Sequence, residues 1–240
     1  MWNTLHNREV ILAGGSGGLG AATAELLACE QARLTISYYS QADRAQRLAS
    51  LGKVVRADLR SASDRLALLQ EAPHLYGLVV FTGDPARPAD PSAWEETLRR
   101  ALEVNYLGPI QLAREAASRM QASGTEGSIV LFSTMQANAL FAGSTAYAAA
   151  KAALQHAARI LAKELRGKPN IRVNVVAPGV TAAGMAESSI RSGKYDHLLA
   201  SGVIPRFGRA ADVARAVRFF LEPDNYITGQ VLCVDGGATL

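Results

Sequence analysis

The strongest constraint in this sequence is an alternation that runs its whole length. Short runs rich in β-branched residues, at 9–13, 34–38, 53–56, 77–81, 128–132, 172–177 and 231–234, are separated by helix-patterned segments beginning near Gly18, Asp43, Ser63, Ser92, Thr145 and Asp212. Most of the runs are continuously apolar, the pattern of strands covered by helices on both faces. A β-α-β-α order of this kind predicts an α/β fold: a doubly wound parallel sheet with right-handed crossovers. No repeat, low-complexity tract or linker interrupts it, so 1–240 reads as a single domain. One stretch breaks the rhythm. Residues 181–208, TAAGMAESSIRSGKYDHLLASGVIPRFG, are too long for a simple crossover loop and mix small, charged and apolar residues, which predicts a lid after the sixth strand.

In such sheets ligands bind beyond the carboxyl ends of the strands. The first strand runs into ILAGGSGGLGAATAELL, whose glycines fit two registers: Gly15-x-Gly17-x-x-Gly20 and Gly14-x-x-x-Gly18-x-Gly20. Either would let a pyrophosphate approach the backbone and sit at the N-terminus of the following helix, so the segment reads as the dinucleotide loop of a Rossmann-like fold. Ser16 and Leu19 fill the positions between these glycines. The stretch alone leaves the two registers open.

Several other functions are excluded or disfavoured. The 25 Lys and Arg against 21 Asp and Glu give a net charge of +4, but the basic residues are scattered, which argues against nucleic acid. His6, His74, His156 and His197 share no ligand spacing, so no metal site is expected. No run approaches the ~18 apolar residues of a membrane span, and the N-terminal MWNTLHNREVILAGG lacks a secretory pattern. Cys29 and Cys233 form no disulfide framework and read as core or near-core residues of a cytoplasmic protein.

The glycine register is settled downstream. Tyr147-Ala-Ala-Ala-Lys151 opens a helix, Asn105 lies in an earlier one, and Ser133-Thr134 end a strand some 13 residues before the tyrosine. Asp58 follows the third strand, and Asn174-Val-Val-Ala-Pro178-Gly179, Tyr226-Ile-Thr-Gly-Gln230 and Val234-Asp-Gly-Gly237 complete an ordered set. Together with Gly14, Gly18 and Gly20, this set resembles the short-chain dehydrogenase/reductase family over nearly the whole chain. The C-terminal third is most similar to its 3-oxoacyl carrier-protein reductase branch. The resemblance implies hydride transfer between a nicotinamide cofactor and a carbonyl or secondary alcohol substrate. It implies catalysis by Tyr147, Lys151, Asn105 and a hydroxyl counted back to Thr134, with Ser133 as the alternative, and a homotetramer with the helices around Asn105 and Tyr147 at one interface. A nucleotide-binding sensor, or a non-catalytic subunit of a mixed oligomer, is the rival reading.

The chemistry also stands on the residues. Tyr147 and Lys151, four apart, share one helix face, and an ammonium near a phenol stabilises phenolate, so Lys151 is expected to lower the pKa of Tyr147. Pro109, four residues after Asn105, has no N–H to give the Asn105 carbonyl, which is expected to take a water partner beside Gly108. Ser92-Ala-Trp-Glu95 reads as a capping box for this helix.

Against the family pattern, Ala13 and Val80-Phe81-Thr82-Gly83 replace the usual threonine and asparagine-rich segment, which predicts a cofactor loop held by apolar packing. Ala183 replaces an expected threonine, with Thr181 as a substitute from another position. The second strand ends Tyr38-Tyr39-Ser40-Gln41 with no carboxylate, favouring NADP(H) over NAD(H), with Ser40, Arg44 and Arg47 available to a 2′-phosphate and Asp58 facing the adenine. The cofactor contacts expected are Gly14, Ser16, Gly18, Leu19, Gly20, Tyr38, Ser40, Asp58, Gly83, Tyr147, Lys151, Pro178, Gly179 and Thr181.

Overall fold

The computed structural model describes residues 4–88 and 90–240, so the first three residues of the N-terminal segment lie outside it. Seven strands form one sheet in the order β3-β2-β1-β4-β5-β6-β7. They are β1 Glu9–Ala13, β2 Arg33–Tyr38, β3 Gly52–Arg56, β4 Leu75–Val80, β5 Gly127–Phe132, β6 Ile171–Pro178 and β7 Val231–Val234. Every pairing is parallel. The order reverses between β1 and β4, which pair from Glu9 to Ala13, and this places a crevice at their carboxyl ends.

Helices cover both faces: α1 Gly18–Cys29, α2 Ala42–Gln46, α3 Ala62–Gln70, α4 Trp94–Leu102, α5 Gly108–Ser123, α6 Thr145–Glu164, α7 Glu187–Arg191, α8 Asp196–Ala200 and α9 Ala210–Leu221. The period of two along each strand divides the core into two layers. Ile11, Leu78, Ile129 and Val173 pack against Leu68 of α3, Leu112 and Ala116 of α5 and Leu154 and Ala158 of α6. Their neighbours Val10, Leu12, Val79 and Val130 face Ala24 and Leu27 of α1 and Val213, Val217 and Phe220 of α9. Each Val, Leu, Ile or Phe side chain among these contributes about 1.5–3 kcal/mol by leaving water. Two main-chain carbonyls at the end of α9 are satisfied from the sheet: Ser128 donates to the Phe220 carbonyl at 2.7 Å and Tyr76 to that of Leu221 at 2.8 Å.

Two local expectations are corrected, and the distortion expected at Gly108-Pro109 takes the form of a π turn. Ser92 does not open a capping box, because both its N–H and its hydroxyl bond to Asp90, which caps a short turn Pro91–Ala93 ahead of α4. The helix carrying Asn105 is not continuous. Between α4 and α5 lies one π turn, Glu103–Leu107, in which the Gly108 N–H reaches the Glu103 carbonyl. A proline at 109 cannot complete the α ladder, and the chain widens by one residue before it. Cys29 and Cys233 are exposed, not core.

Candidate active site

The crevice at the strand ends is a cleft of about 950 Å³ lined by the glycine loop, the ends of β2 to β6, the start of α6 and the 181–208 segment. Fifteen of the sequence-predicted site residues, all but Asn105, line it. Crowding falls on all three glycines of the wider register, and on Gly15 of the narrower one, where a Cβ would meet Leu12 at 2.7 Å. Gly14 has φ +71°, and a Cβ there would meet Thr82 at 2.9 Å; at Gly20 it would lie 2.4 Å from the Gly15 carbonyl oxygen, and at Gly18 it would crowd Ala183 at 3.1 Å. Bare backbone therefore opens onto the cleft where α1 begins, a cradle that suits the pyrophosphate of a dinucleotide. The loop is not held by apolar packing alone, because the Gly14 N–H donates to the Ser37 hydroxyl of β2 at 3.0 Å. Ser37 lies on a strand whose other residues read as plain core, so its sequence carries no signal for this role.

Tyr147 and Lys151 project from the first turns of α6, and their environments are set by burial. The half-buried Tyr147 phenol is pushed up to about 12 by desolvation, against a hydrogen bond with Thr134 that lowers it. The expected pull from Lys151 does not operate here. Lys151 is 2% exposed and donates to the main-chain carbonyls of Thr82 at 3.0 Å and Phe132 at 2.8 Å, and burial brings its ammonium down to about 7. Two of its three N–H donors are thus spent on the protein, leaving one for a ligand. The adjacent hydroxyls divide. Thr134 lines the cleft with Tyr147 and its hydroxyl accepts from the Gln136 N–H at 3.3 Å, whereas Ser133 donates to the Lys151 carbonyl at 3.2 Å and accepts from Gln155 at 2.9 Å.

Asn105 is fully buried behind the cleft wall. Its side chain holds the backbone of Asp84 at both ends: Oδ1 accepts from the Asp84 N–H and Nδ2 donates to the Asp84 carbonyl, each at 3.0 Å. The Asp84 carboxylate accepts from the Ala86 N–H at 2.6 Å and from Arg100 Nε at 2.8 Å. Ala86 itself is buried at φ +50°, a left-handed conformation that costs a residue with a Cβ about 1–3 kcal/mol. These bonds offset that cost.

At the far end, Asp58 is already engaged. Hydrogen bonds from Arg60, at 2.9 Å from Nε and 2.7 Å from Nη2, hold its carboxyl below the usual range. Arg60 also donates to the Tyr39 hydroxyl at 3.0 Å and lies 5.4 Å from that ring's centre. Arg44 lines the same end. Sequence reasoning named neither Arg60 nor Tyr39 as a site residue, although Arg60 stands two residues after Asp58 in a loop. On the lid side Thr181 is buried with its hydroxyl on the Gly179 carbonyl at 3.2 Å, and Tyr195 lies close enough to Tyr147 to raise its pKa.

A crevice at the switch point, a glycine cradle and a tyrosine one helical turn from a buried lysine define a nucleotide-dependent oxidoreductase site. The chain belongs to the short-chain dehydrogenase/reductase family. The family model described as Enoyl-(Acyl carrier protein) reductase matches residues 13–239. NADPH-dependent aldehyde reductase 2, chloroplastic, of Arabidopsis thaliana is 31% identical, over 98% of this chain and 95% of that protein. The 3-oxoacyl-[acyl-carrier-protein] reductase of Rattus norvegicus is 35% identical, over 95% of this chain and 96% of its own. Among solved structures, 7 alpha-hydroxysteroid dehydrogenase complexed with NADH and 7-oxo glycochenodeoxycholic acid superposes with a TM-score of 0.87 at 28% identity, covering 98% of this chain and 95% of that one. The protein is an oxidoreductase with a nicotinamide cofactor and a small-molecule substrate. Among the described residues no helix is long and apolar enough to cross a membrane.

Proposed function

We propose that this protein is an NADP(H)-dependent reductase of a carbonyl compound, running in reverse as a dehydrogenase of the secondary alcohol. The observation that carries the reading is that Thr134 and Tyr147 line one cleft together, with Tyr147 one helical turn from the buried Lys151. In this reading Thr134 donates to the carbonyl oxygen and Tyr147 gives it a proton. A phenol held near 12 keeps that proton at neutral pH, which suits the reducing direction. The cofactor, when bound, supplies the hydride. Gly14, Ser16, Gly18, Leu19 and Gly20 hold its pyrophosphate, and Tyr38, Ser40 and Asp58 its adenosine half. Gly83, Pro178, Gly179, Thr181, Tyr147 and the free donor of Lys151 hold the nicotinamide half. Asn105 serves through the loop it anchors. The chain works as one domain whose 181–208 segment closes over the substrate, in a cytoplasmic homotetramer.

Preference for NADP(H) rests on the adenosine end, where among the described residues no unpaired carboxylate lines the cleft: β2 ends in Tyr38, Asp58 is paired with Arg60, and Arg44 lies on the same wall. The relatives carry both cofactors in their names, NADPH in the plant reductase and NADH in the steroid dehydrogenase complex. A 3-oxoacyl compound, the substrate in the name of the rat relative, belongs in a panel of aldehydes and ketones whose reduction is followed by loss of reduced-cofactor absorbance. NADPH-linked turnover of at least one compound is expected; binding of NADPH with turnover of none contradicts the reading. Ser40→Asp should narrow the gap between NADPH and NADH in a fluorescence titration. Tighter NADH binding by the unaltered protein would overturn the cofactor preference.

A further inference from the structure

The brace on Asp84 has an outcome beyond loop stability. By fixing Ala86 at φ +50°, it turns the chain so that Arg87 lines the cleft and meets Ser189 of α7, its Nη2 3.4 Å from the Ser189 hydroxyl. A bond of that length is weak, and among the described residues the Arg87 guanidinium has no carboxylate partner. Its neighbour Arg100 differs, because Asp84 neutralises it at 2.8 Å. Lys194 lines the same end with its ammonium 5.6 Å from the Tyr195 ring centre, and Tyr195 is the side chain that approaches Tyr147 from the lid. Glu103 lines this wall too, so three cations face two carboxylates and the balance is positive.

This charge lies apart from the groups expected to meet the cofactor's phosphates. Those are the glycine loop, Ser40, Arg44 and Arg60, at the ends of β1, β2 and β3, whereas Arg87 follows β4 and touches the lid. A guanidinium without a carboxylate partner, lining the same cleft as Tyr147, is a receptor for an oxyanion. Its N–H groups form a fork that matches the two oxygens of a carboxylate, or two of a sulfonate.

Building on the carbonyl reductase reading, we propose that the substrate is a carbonyl compound bearing a carboxylate or sulfonate, which docks on Arg87 while its carbonyl oxygen lies at Tyr147 and Thr134. Ser189 adds a neutral donor to the same group, and Lys194 strengthens the field around it. Closing the lid then brings Ser189 and Lys194 onto the anion, so that only a charged substrate orders the segment fully.

Matched pairs of keto acids and their methyl esters, and of keto sulfonates and their amides, test this with NADPH as cofactor. The acid should exceed its ester in kcat/KM by about 10- to 100-fold, mostly through KM, and the ratio should fall as salt is raised. Arg87→Met should collapse the ratio toward one, Arg87→Lys should restore part of it, and Lys194→Met should reduce it by less than Arg87→Met does. Equal kcat/KM for acid and ester in the unaltered protein overturns the proposal. So does an Arg87→Met protein whose main defect is weaker NADPH binding by fluorescence titration, because Arg87 would then serve the cofactor. Calorimetric binding of the acid and the ester to the protein–NADP complex separates the two readings. Arg87-dependent binding of the acid without turnover leaves the anion site standing and removes the reductase activity. Absence of such binding together with absence of turnover removes both.

Discussion

Thr134 lies near enough to Tyr147 to lower the pKa of its phenol, and that proximity distinguishes it from Ser133. The two hydroxyls are adjacent on the chain, but the pleat sends them apart. Ser133 is consumed inside the protein between the Lys151 carbonyl and Gln155. Thr134→Val keeps the shape and removes the donor, so turnover should fall by about 10²–10³ with little change in melting temperature. Ser133→Ala should do the opposite. It removes one donor from the Lys151 carbonyl and the acceptor of the part-buried Gln155 amide, costing about 0.5–1.5 kcal/mol in urea unfolding while turnover changes far less. Reversed effects would move the catalytic hydroxyl to Ser133.

Asn105 acts through position. Asn105→Ala leaves the Asp84 N–H and carbonyl without their partners, which should destabilise the protein by about 2–5 kcal/mol. Where the variant still folds, KM for substrate should rise more than kcat falls, because the loop carrying Arg87 loses its anchor. A loss confined to kcat would instead place Asn105 in the proton path.

Lys151 makes stability depend on pH. Its amine titrates near 7 in the folded protein because burial disfavours the charge, against 10.5 as its ordinary value. Between those values the unfolded chain binds the extra proton, so the stability contributed at this site rises with pH through that window, by up to about 1.4 kcal/mol per unit. The burial penalty is full below the folded value and absent above the ordinary one. Tyr147, raised to about 12, titrates on the alkaline side of this window. Urea unfolding at several pH values between the two should show the slope in the cofactor-free protein and lose it in Lys151→Met. An unchanged slope in the variant would assign it to other groups.

What could be read from the sequence follows from the range of each interaction. Strand positions came from local composition, because a run such as ILA in β1 has few other places to be buried, and β4 to β6 begin only one or two residues before the runs predicted for them. The Tyr147–Lys151 pair was legible for the same reason, since helical spacing fixes which residues share a face. Long-range partners were not. That Ser37 would hold Gly14, that Asn105 would grip Asp84, and that Lys151 would turn to the Thr82 and Phe132 carbonyls each depends on how distant segments register in space. Arg87 looked like one more scattered surface cation. Its place on the cleft wall depends on a left-handed alanine that no local pattern announces.

If Tyr147 supplies the proton to a carbonyl oxygen, Tyr147→Phe is the decisive variant. The substitution removes the hydroxyl and keeps the ring. The variant should bind NADPH with a dissociation constant within a few-fold of the unaltered protein, while kcat for its best carbonyl substrate falls by about 10³ or more. Turnover within tenfold of the unaltered protein, with cofactor binding intact, would contradict it.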